Sequence, residues 1–328
     1  MKTFISLFAL FLSLSLTAQT NPATWYLNDT SGGIQSSSNT ASGVYAIAMG
    51  YTTTASGQAS ATMGNNTTAS GINSIATGNN TSASGINSIA MGNNTIASGY
   101  GSTAMGYETT ASGTVSTAIG TYTIASGDYS TAMGYYTIAS GTYSTAMGYE
   151  TEASDYTSLV VGKHNLAGYT VTASATEYSL DNTAFVIGNG SSWDNRSDAL
   201  VVKFNGETTL AGNLNINSDA RLKANIVSLG ATLSKLLQID GKSYTMKKDE
   251  SEKQKIGLLA QDIEKVFPEL VSESNGIKSV NYQGLVPVLI NAMKEQNIKM
   301  QEQQAEIDRL KTQEERLDRL ERLVAAMD

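Results

Sequence analysis

The sequence predicts a mainly β fibre: a parallel β-solenoid, then a C-terminal α/β region that ends in a coiled coil. Three observations predict it. Ala-Ser-Gly recurs every fourteen residues, starting at Ala41, Ala55, Ala69, Ala83, Ala97, Ala111, Ala125 and Ala139, with a degraded copy at Ala153-Ser154-Asp155. A second glycine keeps the same period from Gly50 to Gly162. The last forty or so residues carry apolar side chains at heptad spacing among charged ones. A fixed short period means stacked units, none of which buries a core alone.

The chain opens MKTFISLFALFLSLSLTAQ, with a basic Lys2 and an apolar run from Phe4 to Leu16. This reads as a secretory signal over residues 1–18, because the run is too short to span a bilayer. Residues 19–40 form a lead-in. No later segment is apolar for long enough to span, so no transmembrane segment is expected once the signal is removed.

Composition excludes several functions. The chain has no cysteine and one histidine, His164, so no metal-ligand cluster and no cofactor are expected. Net charge is −8, and no Lys or Arg lies between Asn21 and Gly162. A weakly acidic repeat cannot bind nucleic acid by neutralising phosphates. The charges cluster after Gly162, which marks a domain boundary.

Within residues 41–162 one unit reads ASG-xxS-xAMG-xxT. Ser144-Thr145-Ala146-Met147-Gly148 alternates with period two, as a short strand does. Thr137-Ile138-Ala139-Ser140 reads as a second strand, and the glycines and Asn pairs as turns. Two strands and two turns make one rung. Rungs stack about 4.8 Å apart, so nine make a rod roughly 40 Å long. Such a rung buries little apolar area, which implies several chains side by side.

The runs Asn73-Ser74-Ile75-Ala76-Thr77-Gly78 and Asn87-Ser88-Ile89-Ala90-Met91-Gly92 resemble the head repeats of trimeric autotransporter adhesins. The resemblance implies a trimeric, left-handed parallel β-roll of the YadA type. That family ends in a β-barrel anchor, whereas this chain ends in a charged helix.

Two columns invite functional readings. Thr53, Thr67, Thr81, Thr95, Thr109, Thr123, Thr137 and Thr151 form a ladder. Strand preference accounts for threonine there, and the alternative is an ice-binding face. Tyr51, Tyr107, Tyr135 and Tyr149 follow the turn glycines, either as packing or as ligand contacts, and packing is preferred.

Residues 163–217 lose the period and read as a β-rich connector. Strand-like runs are Ala184–Ile187, Ala199–Phe204 and Leu214–Ile216, with a hairpin turn at Asn205-Gly206. Trp193 is expected to plug an apolar site.

Residues 218–284 open with Ser218-Asp219-Ala220-Arg221-Leu222-Lys223-Ala224-Asn225-Ile226. The runs IGLLAQDIEKVFPELV, from Ile256, and VNYQGLVPVLINAMKEQ, from Val280, follow. These blocks resemble the intramolecular chaperone domain of endosialidases and phage tail fibres. The resemblance implies a domain that trimerises, guides folding of the preceding β fibre, and then cleaves itself off. It places the scission at Asn217–Ser218 and maps the family's serine–lysine pair onto Ser218, the nucleophile, and Lys223, the general base. A lysine acts as base only if burial or nearby positive charge lowers its pKa. Arg221 is a candidate for that charge. Asp219 is read as a turn or helix cap, with pairing to Arg221 as the alternative.

In residues 285–328, Ile290, Asn297 and Gln304 occupy one heptad seam position, and Val286, Met293, Met300 and Ile307 the other. After a one-residue slip, Leu310, Leu317, Leu320, Val324 and Met327 continue it. Polar seam residues tune register and strand number.

The reading is an exported, homotrimeric, adhesin-like surface fibre with a self-processing chaperone. Expected partners are sister chains, with a host-cell, glycan or matrix ligand on the repeats. A phage-type receptor-binding tail fibre and an ice-binding solenoid are the alternatives.

Overall fold

A computed structural model describes residues 26–27, 33–35, 38–247 and 253–326. The expected signal segment and Met327 lie outside the described residues. Backbone contacts divide the chain into two units, Met1–Asn215 and Ile216–Asp328.

The first unit is a nine-rung parallel β-solenoid. Long strands such as Thr103–Tyr107 and Thr117–Thr121 form one sheet; short ones such as Thr110–Ala111 and Ile124–Ala125 form a nine-stranded second sheet. Pairing is in register, so Ala104 faces Ala118 and Gly106 faces Gly120. Each residue thus meets its equivalent fourteen positions on, which is why the period holds so strictly.

Two corners per rung take left-handed backbone. Asn66, Asn80 and Asn94 hold one corner at φ near +53°, and Asn73 and Asn87 hold the other at about +56°. The Ala-Ser-Gly glycine has a different cause. A Cβ on Gly113 would lie 2.0 Å from the Gly127 carbonyl oxygen in the next rung. Only glycine lets the rungs approach that closely. The ninth copy has no regular rung beyond it, so Asp155 can carry a side chain there. It is buried and accepts the Thr172 N–H at 2.6 Å and the Thr183 N–H at 2.7 Å.

The core is a column of alanines, from Ala69 to Ala153, continued by Val160 and Val186. All eight ladder threonines are buried as well, at 2 % exposure or less. Their Oγ1 atoms have no hydrogen-bond partner within the described chain. This overturns the ice-binding alternative. Thr137, just before the short strand Ile138–Ala139, and Ala139 are two residues apart and both fully buried, so they face the interior together.

Both ends of the threonine column are closed by asparagine. Asn39 accepts the Thr53 N–H at 2.9 Å and donates to the Gly50 carbonyl at 2.8 Å. Asn165 does the same work on Glu152. Arg196 adds a clamp at the C-terminal end, donating to the carbonyls of Glu150 and Asn165 and lying 3.9 Å from the centre of the Tyr169 ring.

In the connector, Thr183–Asn189 adds to the long-strand sheet in parallel with Leu159–Lys163. Asp198–Lys203 and Thr208–Leu210 follow as a hairpin around Gly206. The third expected strand, at Leu214–Ile216, does not form, because the hairpin pairs directly after its turn. Trp193 does not plug a core: it is 72 % exposed, at the tip of a turn closed by the Asn195 N–H on the Ser192 carbonyl.

In the second unit, α1 (Leu233–Leu236), α2 (Ala260–Val266) and α3 (Leu285–Ala325) accompany two hairpins, Lys242–Tyr244 with Lys255–Gly257 and Val271–Ser274 with Ile277–Val280. Ile263, Phe267, Leu270, Leu285 and Val288 form its core. Pro287 sits in the first turn of α3, where no intrahelical donor is lost. Helix α3 runs 41 residues. Its seam residues Ile290, Met293, Met300, Ile307, Leu310 and Leu317 are exposed within one chain. No helix among the described residues is long and apolar enough to cross a membrane.

Candidate functional site

The segment 218–223 is a tight turn whose geometry follows from Asp219. Asp219 is the N-cap of a 3-10 turn, Ala220–Leu222, and its Oδ1 accepts the Arg221 N–H at 2.8 Å. Its carbonyl accepts the Leu222 N–H at 3.0 Å, and the Ala220 carbonyl accepts the Lys223 N–H at 3.1 Å. Lys223 then returns to extended backbone. The turn folds the lysine back on the serine: Lys223 Nζ lies 2.7 Å from Ser218 Oγ.

Arg221 is turned toward Asp219 instead. Its Nε and Nη2 donate to the carboxylate, with the shortest contact at 2.6 Å. This pairing, with the backbone N–H, holds the Asp219 carboxyl below the usual aspartate range, and Asp219 raises the Arg221 guanidinium in turn. Cap and ion pair therefore coexist at Asp219. Ser218 and Lys223 are both exposed in the single chain. Neither burial nor an unpaired guanidinium is supplied to the lysine by its own turn.

Apolar side chains in and just after this segment are uncovered. Leu222 is 70 % exposed and Val227 83 %. A single chain leaves this surface wet, and a hydroxyl–amine pair in water is a poor nucleophile.

The sequence reading missed how the domain is pinned to α3. Glu295 accepts the N–H groups of Thr232 and Leu233 at the start of α1, and Thr232 Oγ1 donates to the Val288 carbonyl at 2.9 Å. Thr232 has the residue type of a helix start, and that signal was available. Glu295 lies more than sixty residues away, and no local pattern points to it. The solenoid caps were equally missed. Their signal is positional: Asn39 and Asn165 stand fourteen residues outside Thr53 and Thr151.

The repeat surface is the second functional feature. Tyr122 and Tyr136 stack at 4.4 Å between ring centres, Tyr129 and Tyr143 at 4.9 Å, and Tyr135 and Tyr149 at 5.0 Å. Of the tyrosines after the turn glycines, Tyr135 and Tyr149 stack along the axis and Tyr107 meets Tyr122 edge-on, whereas Tyr51 is 63 % exposed.

Comparison with protein families agrees with these two regions. Residues 41–164 match the YadA head domain repeat in eight overlapping stretches. Residues 218–272 match the family described as chaperone of endosialidase. No curated protein matches the chain. The chain therefore joins YadA head repeats to a chaperone-of-endosialidase domain, in a protein of adhesin or fibre type.

Proposed function

We propose that the chain is an exported, homotrimeric surface fibre whose C-terminal domain registers three copies, assists folding of the solenoid, and then cuts the Asn217–Ser218 bond. The observation that carries the cleavage is the 2.7 Å approach of Lys223 Nζ to Ser218 Oγ, on the residue whose nitrogen forms the bond to be cut.

The chemistry is an acyl shift. Ser218 Oγ attacks the Asn217 carbonyl carbon through a five-membered ring, and the Lys223 amine takes the hydroxyl proton. The Asn217–Ser218 C–N bond breaks as that proton passes to the Ser218 nitrogen. Water then hydrolyses the ester on Ser218 Oγ, leaving an Asn217 carboxylate and a free Ser218. The amine form of Lys223 needs a drier setting than one chain gives it. Packing of sister chains over Leu222, Ile226 and Val227 supplies that setting, which ties cleavage to assembly.

Trimerisation has independent support. The α3 seam is exposed and mostly apolar, interrupted by Asn297 and Gln304, and such a seam needs partner helices in water. The long strands of the solenoid turn Met63, Met91 and Met133 outward, each about two-fifths exposed. Burying one methyl group is worth about 0.8 kcal/mol, so an alanine core by itself is weak. A coiled coil that aligns the chains first removes loop-closure entropy from the later non-local pairing.

The N-terminal pattern of residues 1–18 and the head repeats support export to the surface. There the rungs offer the same shallow face many times over, which suits weak, multivalent attachment to a cell, glycan or matrix.

Expression of the full chain beside Ser218→Ala tests this reading, with intact mass and native size as readouts. Wild type should yield two pieces split at Asn217–Ser218, and the variant an uncut trimer. An uncut wild-type trimer removes the protease and spares the chaperone. A monomer removes both.

A further inference from the structure

The left-handed corners of the solenoid carry varied residues. Asparagine holds several left-handed corners, Asn66, Asn80 and Asn94 on one side and Asn73 and Asn87 on the other, beside Tyr45, Thr52, Ala59, Glu108 and Val115. Asparagine tolerates that backbone. In later rungs the same corners hold Tyr122 and Tyr136, at φ +57° and +50°, and Tyr129 and Tyr143, at +58° and +60°. A bulky ring at positive φ is disfavoured by the backbone, so propensity does not select tyrosine at these corners.

Their arrangement is specific. Each stacked pair joins neighbouring rungs, with interplanar angles of 11° for Tyr122–Tyr136, 10° for Tyr129–Tyr143 and 16° for Tyr135–Tyr149. Tyr129 and Tyr143 are each 49 % exposed, Tyr135, Tyr136 and Tyr149 somewhat less so, and Tyr122 is half-buried. The chain has no cysteine, so no disulfide can fasten one rung to the next.

We propose that these three stacked pairs are sites of oxidative dityrosine coupling, which fastens adjacent rungs of one chain covalently. The oxidant is hydrogen peroxide acting through a one-electron haem peroxidase. Each phenol of a pair loses one electron and one proton. The two phenoxyl radicals join through the ring carbons beside the phenol oxygens, and the two ring hydrogens return to those oxygens. Two tyrosines and one peroxide give one dityrosine and two waters. Stacking holds the reacting carbons of the two rings near each other before oxidation, which is where the rate advantage over an unfolded chain arises. The inference does not depend on self-cleavage.

The test treats the full native chain with limiting peroxide and a haem peroxidase. Dityrosine fluorescence, a denaturing gel and intact mass are read together, beside the same chain unfolded in urea. The expected result is intrachain dityrosine in the native protein well above the unfolded level, with a mass loss of two hydrogens per link. The triple variant Tyr122→Phe, Tyr135→Phe, Tyr143→Phe breaks every close tyrosine pair described here while keeping the rings. Its yield should fall to the unfolded level. A native yield no higher than the unfolded one overturns the proposal, as do links formed only between chains. So does a triple variant that couples as well as wild type.

Discussion

The carboxamide of Asn165 holds both backbone groups of Glu152: its Oδ1 accepts the Glu152 N–H at 2.8 Å, and its Nδ2 donates to the Glu152 carbonyl at 2.9 Å. One rung earlier, the Ile138 N–H donates to the Thr151 carbonyl at 2.9 Å. A side chain thus stands in for the missing tenth rung and closes a sheet end that would otherwise present unpaired groups.

Asn165→Ala removes these bonds and a third, to the Ala167 carbonyl. It should destabilise the solenoid by about 2–3 kcal/mol. Thermal unfolding and amide exchange at Glu152 check this, and an unchanged exchange rate there contradicts it.

Gly113→Ala puts a methyl group against the next rung's backbone, with no flexible side chain to yield. The expected cost is about 3 kcal/mol or more. A melting temperature within a degree or so of wild type would show that the rungs can spread.

Thr109→Val should be neutral or stabilising by about 1 kcal/mol, because it removes a buried hydroxyl that has no partner. Chemical denaturation measures it. A clear loss of stability would mean that the hydroxyl column is bonded.

Glu152 has its pKa raised by burial, against the opposing pull of Arg196 and the Ser154 hydroxyl. A folded pKa above the unfolded one favours folding below the unfolded pKa. That contribution is lost as pH rises through the folded value. Glu152→Gln should therefore stabilise the solenoid end at neutral pH, and the gain should vanish at acid pH. Melting curves at both pH values decide it, and a gain only in acid contradicts the sign.

Asn297→Leu makes the α3 seam wholly apolar at that layer. The trimer proposed here should melt higher but lose its single strand number. Sedimentation equilibrium that still shows one species would remove the specificity role from Asn297.

The fourteen-residue period alone determined the rung, its two strands and its corners, because in-register parallel pairing sets each residue against its own equivalent. Heptad spacing determined the long helix, and the run from Ser218 to Lys223 was recognisable as a motif before its geometry was known. Tertiary structure decided which way the faces turn. The threonine ladder left an exposed face open as an alternative to strand preference, and the burial of all eight threonines placed it inside. It also decided how the repeat stops. Asp155, Asn39, Asn165 and Arg196 each satisfy backbone groups that a periodic pattern leaves open only at its ends, and Glu295 reaches Thr232 across a stretch of chain that no local signal spans. Local periodicity encodes what repeats, whereas ends and distant latches depend on which unpaired groups the folded chain brings within hydrogen-bond reach.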